Sequence, residues 1–307
     1  MSETVISHPV ETAIPIVGQA RPMVSVYCIT YNHSKFIAQA IEGFLMQQCT
    51  FDVEIVISDD CSTDGTREII DSYVQRFPGR LRRHPVHTNQ GASLNCVNLF
   101  KEVRGMYVAL CDGDDYWTDP FKLQKQVDFL EKNPDYVICA HYTKEVDQEG
   151  NLLKVKPRPL PLIYTFDDLL INIQDETSTA SMMYRNTEAM QGLCYQDWFV
   201  KVNAADKFIK LFATWHSKKK IYVMPEVMSC YRKHSGGIWS STPKVKLKRK
   251  RLDDFYMILN VFTLTTRQKM NLLYFYAKDY LLFEVKHHGL SSALRTMKGI
   301  FKGSRQL

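Results

Sequence analysis

Three aspartates within four residues, Asp112, Asp114 and Asp115, directly follow an apolar segment at residues 106–110. A short continuous apolar run of this kind is typical of a buried strand. Carboxylates crowded at the end of such a strand repel one another unless a cation neutralises them. Because every ligand atom is oxygen, the expected cation is hard and divalent, Mg²⁺ or Mn²⁺, and it can hold a diphosphate in turn. Taken alone, the cluster is equally consistent with an acidic turn before a helix.

Two more polar clusters follow predicted strands in the first part of the chain. Thr30, Tyr31 and Asn32 end a β-rich run, and Asp59 and Asp60 end a second one. In parallel sheets, ligands bind beyond the carboxyl ends of the strands. The three clusters are therefore predicted to meet in one crevice.

The elements that must position these residues alternate between strand and helix. Strand patterns occur at 23–30, 53–58 and 106–110, and helix patterns at 35–48, 66–77 and 93–103. This alternation predicts an α/β fold, with a doubly wound, mostly parallel sheet flanked by helices.

Composition places the chain among ordinary globular proteins, with 45% hydrophobic and 23% charged residues over 307 positions. Its eight cysteines form no CxxC pair, which excludes a zinc knuckle and favours reduced thiols. The first 22 residues lack a basic segment followed by an apolar one, and no apolar run reaches the length of a spanning helix. We therefore expect a cytoplasmic protein without a signal peptide.

The ordered set of motifs resembles the family 2 glycosyltransferases with the GT-A fold. The resemblance covers residues 23–240, most weakly at 231–240, and its motifs are the Thr30-Tyr31-Asn32 cluster, residues 55–66, Asn89-x-Gly91 and residues 112–126. It implies inverting transfer of a sugar from a UDP-, GDP- or dTDP-sugar to a hydroxyl of a glycan or a lipid-linked oligosaccharide. It also implies Mg²⁺ or Mn²⁺, and a role in cell-surface polysaccharide synthesis.

The resemblance assigns the metal site to the acid cluster. Asp114 matches the last acid of the family's DxD motif and is expected to bind the metal. Asp112, the first acid, would contact the ribose or share the metal, and Asp115 would contact the nucleotide-sugar or cap the next segment. His234 is expected near the metal or the diphosphate, although a lone histidine is as often a structural residue.

The resemblance also assigns the nucleotide site. Tyr31 would flank the base, between Thr30 and Asn32, and Asp60 would accept a hydrogen bond from the base, with Asp59 as the alternative. Both acids could instead cap a helix through the turn that follows them.

Three further expectations concern charge and sugar contacts. Many family members carry an arginine after Asn-x-Gly, where this chain has Leu94 and Asn95. Arg232 or Lys233 would then compensate the negative charge of the diphosphate. Trp117 and Trp239 would either stack on sugar faces or belong to the core.

The catalytic base should be a carboxylate that deprotonates the acceptor hydroxyl. In the family this acid precedes a helix and follows an aromatic pair, a pattern that Asp206 fits after Trp198 and Phe199. Asp197 is the second candidate, and Asp175 with Glu176 the third. Asp206 could also be an ordinary acid at a helix start.

The chain divides into a flexible leader at 1–22, a glycosyltransferase domain at 23–240 and a basic, amphipathic helical extension at 241–307. From Lys244 onward there are 14 Lys and Arg against 4 Asp and Glu, giving +10, whereas residues 1–243 have 25 against 29, giving −4. The apolar faces around Phe255 and Tyr276 could dock on the body, on a second copy in a homodimer, or peripherally on the inner membrane face. No nucleic-acid partner is expected.

Other functions fit less well. A nucleotide-sugar-forming nucleotidyltransferase would carry a Gly-rich basic loop after the first strand, and residues 30–35 contain none. A phosphoacceptor receiver domain leaves the acid cluster unexplained, and an EF-hand loop would need a glycine at its sixth position. An inactive nucleotide-sugar-binding protein remains the non-enzymatic alternative.

Overall fold

The computed structural model describes residues 21–237 and 242–302. The strands are β1 Val24–Thr30, β2 Val53–Asp59, β3 Leu81–His84, β4 Tyr107–Leu110, β5 Tyr116–Trp117, β6 Tyr136–Val146, β7 Leu152–Lys154, β8 Leu162–Tyr164, β9 Met183–Arg185 and β10 Lys220–Arg232. The helices are α1 Ile37–Leu45, α2 Thr66–Arg76, α3 Ala92–Phe100, α4 Lys122–Lys132, α5 Phe166–Leu170, α6 Glu188–Gly192, α7 Ala205–Ser217, α8 Lys244–Val261, α9 Thr266–Asp279, α10 Leu281–His288 and α11 Leu290–Lys302.

The described strands join in one mixed sheet of order β3-β2-β1-β4-β9-β6-β10-β5, with β7 beside β6 and β8 beside β10. Strands β3, β2, β1 and β4 are parallel, and β9 is antiparallel to both β4 and β6. Thr30 pairs with Asp59, so the carboxyl ends of β1 and β2 lie side by side. The predicted α/β fold with a mostly parallel sheet and flanking helices is confirmed.

Alternating side chains of β1 divide the interior into two layers. Val24, Val26 and Cys28 pack with α1, α2 and α4 on one face, whereas Tyr27 packs with α3 and α7 on the other. This period of two is what a strand covered on both sides by helices requires.

The helical extension packs into the second of these layers. Phe255, Ile258 and Tyr276 are buried there, so the apolar faces of α8 and α9 dock on the body. Glu284 of α10 is buried among hydroxyl donors from the other extension helices, including Tyr276 and Thr296. No helix within the described ranges is both long enough and apolar enough to cross a bilayer.

Candidate functional site

The loops after β1 and β2 are held together by polar contacts at the carboxyl edge of the sheet. Asn32, with φ 54°, accepts the Thr63 backbone N–H through Oδ1 at 2.9 Å and donates its own N–H to Ser62 Oγ at 2.8 Å. The His33 backbone N–H donates to Thr66 Oγ1 at 2.9 Å. Tyr31 projects from this edge and is 44% exposed. Thr30, Tyr31 and Asn32 thus lie together beside the β2 loop, as the sequence predicts.

Asp59, the last residue of β2, and Asp60, which follows it, are both buried and accept hydrogen bonds. Asp59 accepts the Ser62 backbone N–H at 3.2 Å and lies 3.5 Å from Arg67 Nε. Asp60 accepts the backbone N–H groups of Gln90 and Gly91, each at 2.8 Å. Asp60 therefore joins the β2 loop to the Asn89-x-Gly91 segment. Its carboxylate has more than two acceptor positions, so these bonds leave room for another donor.

The acid turn sits tightly against β1. A Cβ atom on Gly113 would approach Thr30 Oγ1 to 2.4 Å and Thr30 Cβ to 2.7 Å, so only glycine fits there without a shift. Asp115 is buried and accepts the Arg232 backbone N–H at 2.9 Å. Burial raises its pKa well above the ordinary range. The turn is thus fixed on one side by β1 and on the other by β10.

Arg232 is almost completely buried and makes several contacts within the protein. Its guanidinium donates to the backbone oxygens of Asp114 at 3.1 Å and Gln148 at 3.0 Å, and to Gln39 Oε1 at 2.6 Å. Its contact with a diphosphate stays a prediction. In this structure the side chain holds the acid turn to the hairpin after β6.

A compact group of three ligand atoms lies beside the turn. Asp114 Oδ2 is 3.0 Å from His234 Nε2 and 3.7 Å from His33 Nε2, and ligand atoms of the three residues lie within 4.8 Å of one another. Burial raises the pKa of Asp114, but the hydrogen bond with His234 and the proximity of His33 outweigh it and hold the pKa below its usual value. Burial lowers the pKa of His33, the Asp114 charge opposes this, and His234 assists it, so the neutral, ligating form of His33 is favoured.

Two imidazoles and one carboxylate form a donor set that can hold a divalent transition metal. Mn²⁺ accepts such ligands, whereas Mg²⁺ strongly prefers oxygen. The cluster therefore fits Mn²⁺ better than Mg²⁺. Asp114 and His234 were expected here, but His33 was not, and Asp112 is not part of the group. The signal for His33 was its place directly after Tyr31 and Asn32 at the end of β1.

Asp112 instead shares a pocket with Asp206. The pocket has a volume of about 120 Å³ and is also lined by Ser93, Thr179 and Asn203. Burial, followed by the charges of Asp114 and Asp206, raises the pKa of Asp112 to about 8, against an opposing hydrogen bond with Thr179. The structure thus brings the first acid of the turn and the predicted base to the same cavity.

Lys210 holds the Asp206 carboxylate from one turn further along α7. Its buried ammonium lies 3.1 Å from Asp206 Oδ2 and donates to Thr177 O at 3.0 Å and Thr177 Oγ1 at 3.1 Å. The other candidate bases lie elsewhere: Asp197 and Asp175 are exposed, and none of Asp197, Asp175 and Glu176 lines the pocket. The geometry therefore favours Asp206 among the candidates.

The helical extension holds the segment before α7, which lines the same pocket. Asp254 of α8 accepts the backbone N–H of Asn203, a pocket-lining residue, through Oδ1 at 2.8 Å. Burial raises the pKa of Asp254 to about 6, although its bonds to Asn203 and the Lys207 charge oppose this. Lys210 and Asp254 were not identified in the sequence, because neither belongs to a motif.

Trp117, a possible sugar contact, and Asn95, in the region of the family's arginine, are both internal. Trp117 is buried, and its Nε1 donates to Ala180 O at 2.9 Å, so it belongs to the core rather than to a sugar site. Asn95 is buried and donates through Nδ2 to Ser58 O at 3.2 Å. Leu94 is partly exposed and supplies no charge. Trp239 lies outside the described residues.

The sheet and its flanking helices have the arrangement of the GT-A fold. The family model "Glycosyl transferase family 2" matches residues 25–189, more than half of the chain. This chain belongs to that family.

Two curated relatives match this chain, and one of them is named a putative glycosyltransferase. An uncharacterized protein of Mycobacterium bovis is 34% identical over 224 residues, covering 71% of this chain and 60% of the relative. The putative teichuronic acid biosynthesis glycosyltransferase TuaG of Bacillus subtilis is 32% identical over 152 residues, covering 50% of this chain and 58% of TuaG. The chain thus spans about 60% of the length of these relatives.

Solved structures share the fold. TarS residues 1–349 of S. aureus, in complex with UDP-GlcNAc, superposes with a TM-score of 0.63 at 19% identity, covering 91% of this chain and 81% of that one. The mannosyltransferase PcManGT of Pyrobaculum calidifontis, in complex with GDP-Man and Mn²⁺, gives 0.60 at 16% identity, covering 91% and 76%. At these identities the similarity shows the fold alone.

Proposed function

We propose that this chain transfers a sugar from a nucleoside-diphosphate sugar to a hydroxyl of a glycan or lipid-linked acceptor, with inversion at the anomeric carbon. The observation that carries the proposal is the shared pocket of Asp112 and Asp206, at the same edge of the sheet as His33, Asp114 and His234. A base and a cation site at one crevice are what displacement of a diphosphate requires. Assembly of a cell-surface polysaccharide is the proposed setting.

The nucleotide would occupy the edge formed by the loops after β1 and β2. Tyr31 would lie against the base, because its ring is exposed there. Asp60 would accept a hydrogen bond from the base, within a loop that its bonds to Gln90 and Gly91 hold in place. Thr30, Asn32 and Asp59 shape the same loop.

On the metal side, His33, Asp114 and His234 would hold Mn²⁺, with Asp112 oriented toward the ribose. A bound ion would neutralise charge that develops on the diphosphate leaving group. Asp115 and Arg232 act in this proposal by keeping the acid turn in position, through the bond between Arg232 N–H and Asp115.

Asp206 would remove the proton from the acceptor hydroxyl as its oxygen attacks the anomeric carbon. The bond from that carbon to the diphosphate oxygen breaks, the nucleoside diphosphate leaves with the electron pair, and the proton stays on Asp206. Lys210 orients the carboxylate through Oδ2, which directs Oδ1 to the acceptor. Because attack comes from the face opposite the leaving group, the product has the inverted configuration.

The first test identifies the donor. Thermal unfolding is measured with UDP, GDP, dTDP and CDP, each with and without Mn²⁺, because a ligand that binds the folded state raises the melting temperature. One nucleotide should stabilise the protein, and Mn²⁺ should increase the shift. The absence of a shift with every pair would contradict the proposal.

The second test separates binding from chemistry. Asp206→Asn should bind the selected nucleotide as the wild type does and lose transfer by about 10²-fold or more. Asp197→Asn, an exposed carboxylate on the preceding segment, serves as the control and should remain active. If Asp206→Asn stayed fully active, another residue would be the base. Product stereochemistry, read from the anomeric proton coupling in NMR, tests inversion directly.

A further inference from the structure

One surface segment, residues 152–163, combines exposed apolar and basic side chains. Leu152, Leu153, Val155, Leu160 and Ile163 are between 39% and 68% exposed. Lys154, Lys156 and Arg158 are interleaved with them and also exposed, and residues 150–165 contain no Asp or Glu. Exposed apolar surface of this extent typically marks a site of interaction.

The segment is held at several points, so its exposed side chains belong to an ordered surface. β7 pairs with the end of β6, and β8 pairs with β10. Between them, Tyr142 Oη donates to Leu160 O at 2.7 Å. Pro157, Pro159 and Pro161 restrict the backbone and remove three N–H donors, which disfavours pairing with a strand of another chain.

The segment lies next to the candidate site. Lys154 Nζ is 3.8 Å from Glu145, which also pairs with Lys233, the neighbour of His234. Burial raises the pKa of Glu176, and the charges of Lys154 and Lys156 oppose this rise. Glu176 directly precedes Thr177, which binds Lys210 and so contacts the Asp206 pair. A surface bound to residues 152–163 would therefore lie near the candidate site.

We propose that residues 152–163 dock on an anionic lipid bilayer. Interleaved leucines and basic residues suit a membrane interface, where apolar side chains enter the headgroup region and cations meet lipid phosphates. A nucleic acid would match the charge but not the leucines. A second copy of this chain would bring like charge against like charge, since the segment carries three cations and no acid.

The helical extension is the competing surface, because it carries a net charge of +10 whereas the rest of the chain carries −4. Its α8 and α9 bury their apolar faces against the body, as Phe255 and Tyr276 show. α10 and α11 expose Leu282, Leu290 and Leu294. These leucines supply the matched control.

The test is co-sedimentation of the full chain with vesicles of phosphatidylcholine, with and without phosphatidylglycerol, at low and high salt. The charge variant is Lys154→Gln with Lys156→Gln and Arg158→Gln, and the apolar variant is Leu153→Ser with Leu160→Ser. The control is Leu282→Ser with Leu290→Ser. Because all the substituted side chains are exposed, the variants should fold, and unfolding temperature and nucleotide binding check this.

The wild type should bind the anionic vesicles, and salt should weaken binding. The charge variant should bind about 100-fold more weakly, roughly fivefold for each cation removed. The apolar variant should bind about tenfold more weakly at either salt concentration, and the control should bind as the wild type does. Absence of wild-type binding at low salt, equal binding by all variants, or loss of binding in the control alone would overturn the proposal. Binding to vesicles requires no sugar transfer, so its outcome is independent of the proposed function.

Discussion

The ammonium of Lys210 and the carboxylate of Asp206 form an ion pair of 3.1 Å within α7, and the same ammonium bonds to Thr177 in a separate segment. Lys210 is 2% exposed and Asp206 faces the pocket. The buried Lys210 ammonium therefore fixes the orientation of the Asp206 carboxylate, which lies at the surface of the cavity.

Lys210→Met should lower turnover about 10- to 100-fold, because the Asp206 carboxylate loses the contact that orients it. Nucleotide affinity should not change, since the Lys210 ammonium contacts Asp206 and Thr177, which lie outside the predicted nucleotide loops. Steady-state kinetics with the donor found by thermal screening measure both quantities. Lys201→Met, an exposed lysine before α7, is the control. A loss of nucleotide affinity equal to the loss of turnover would contradict the positioning role.

Asp254→Ala should destabilise the loop that leads into α7. The variant leaves the Asn203 N–H without its carboxylate acceptor, which costs about 1–3 kcal/mol when the donor is buried. Turnover should fall about tenfold, because Asn203 and Asp206 line the same pocket. Asp254→Asn keeps an oxygen in place and should restore most of the activity.

The control for this pair is Asp253→Ala, a neighbouring but exposed carboxylate of α8. Its turnover and its melting temperature should be close to those of the wild type. If Asp253→Ala and Asp254→Ala behaved alike, the extension would act through general stability rather than through the Asn203 contact.

His33→Ala should weaken Mn²⁺ binding by about tenfold or more, because it removes one of three clustered ligands. Calorimetric titration with Mn²⁺ in the presence of the selected nucleotide measures the affinity. His87→Ala replaces an exposed histidine outside the cluster and should have no effect. Unchanged Mn²⁺ affinity in His33→Ala would mean that the imidazoles of His33 and His234 do not bind the ion together.

Lys122→Met should stabilise the protein more at pH 6 than at pH 9. Burial lowers the pKa of Lys122 to about 7, and its ammonium contacts Trp117 and Gln126 without a carboxylate. The cost of burying the charge is fully present below pH 7, and it is relieved as pH rises toward the ordinary lysine pKa of about 10.4. The variant should therefore gain about 1 kcal/mol at pH 6, and the gain should shrink toward pH 9.

Thermal unfolding of the wild type and the variant at both pH values provides the comparison. Lys132→Met, at the exposed end of the same helix, controls for the loss of a surface charge. If the difference in melting temperature did not vary with pH, the buried Lys122 ammonium would not be what destabilises the wild type.

The sequence predicted the parts of the site that depend on local signals. Strands β1, β2 and β4 were visible as apolar runs with β-branched residues, and the polar residues after them marked the carboxyl edge. Asp114 and Asp60 were named because they match motif positions of the family at that edge. Asp206 was named because, like the family's base, it stands at a helix start after Trp198 and Phe199. The roles of all three stay predictions.

The remaining contacts join residues that are far apart in the chain, and no local sequence pattern predicts them. His33 meets Asp114 only because β1 and β4 are neighbours in the sheet. Asn203 meets Asp254 because α8, whose Asp254 is 51 residues further along the chain, packs on the body. Trp117 was undecided, because an aromatic residue beside an acid turn has the same sequence signature in a core and in a sugar site.

The close approach of Gly113 to Thr30 limits how this protein can be engineered. Any library that varies residues 112–115 to change donor preference has to keep glycine at position 113, since even a methyl group would push the acid turn away from the first strand. If Tyr31 lies against the base as proposed, selectivity will be easier to redesign there, because its ring is 44% exposed and substitution disturbs no packed neighbour of the acid turn.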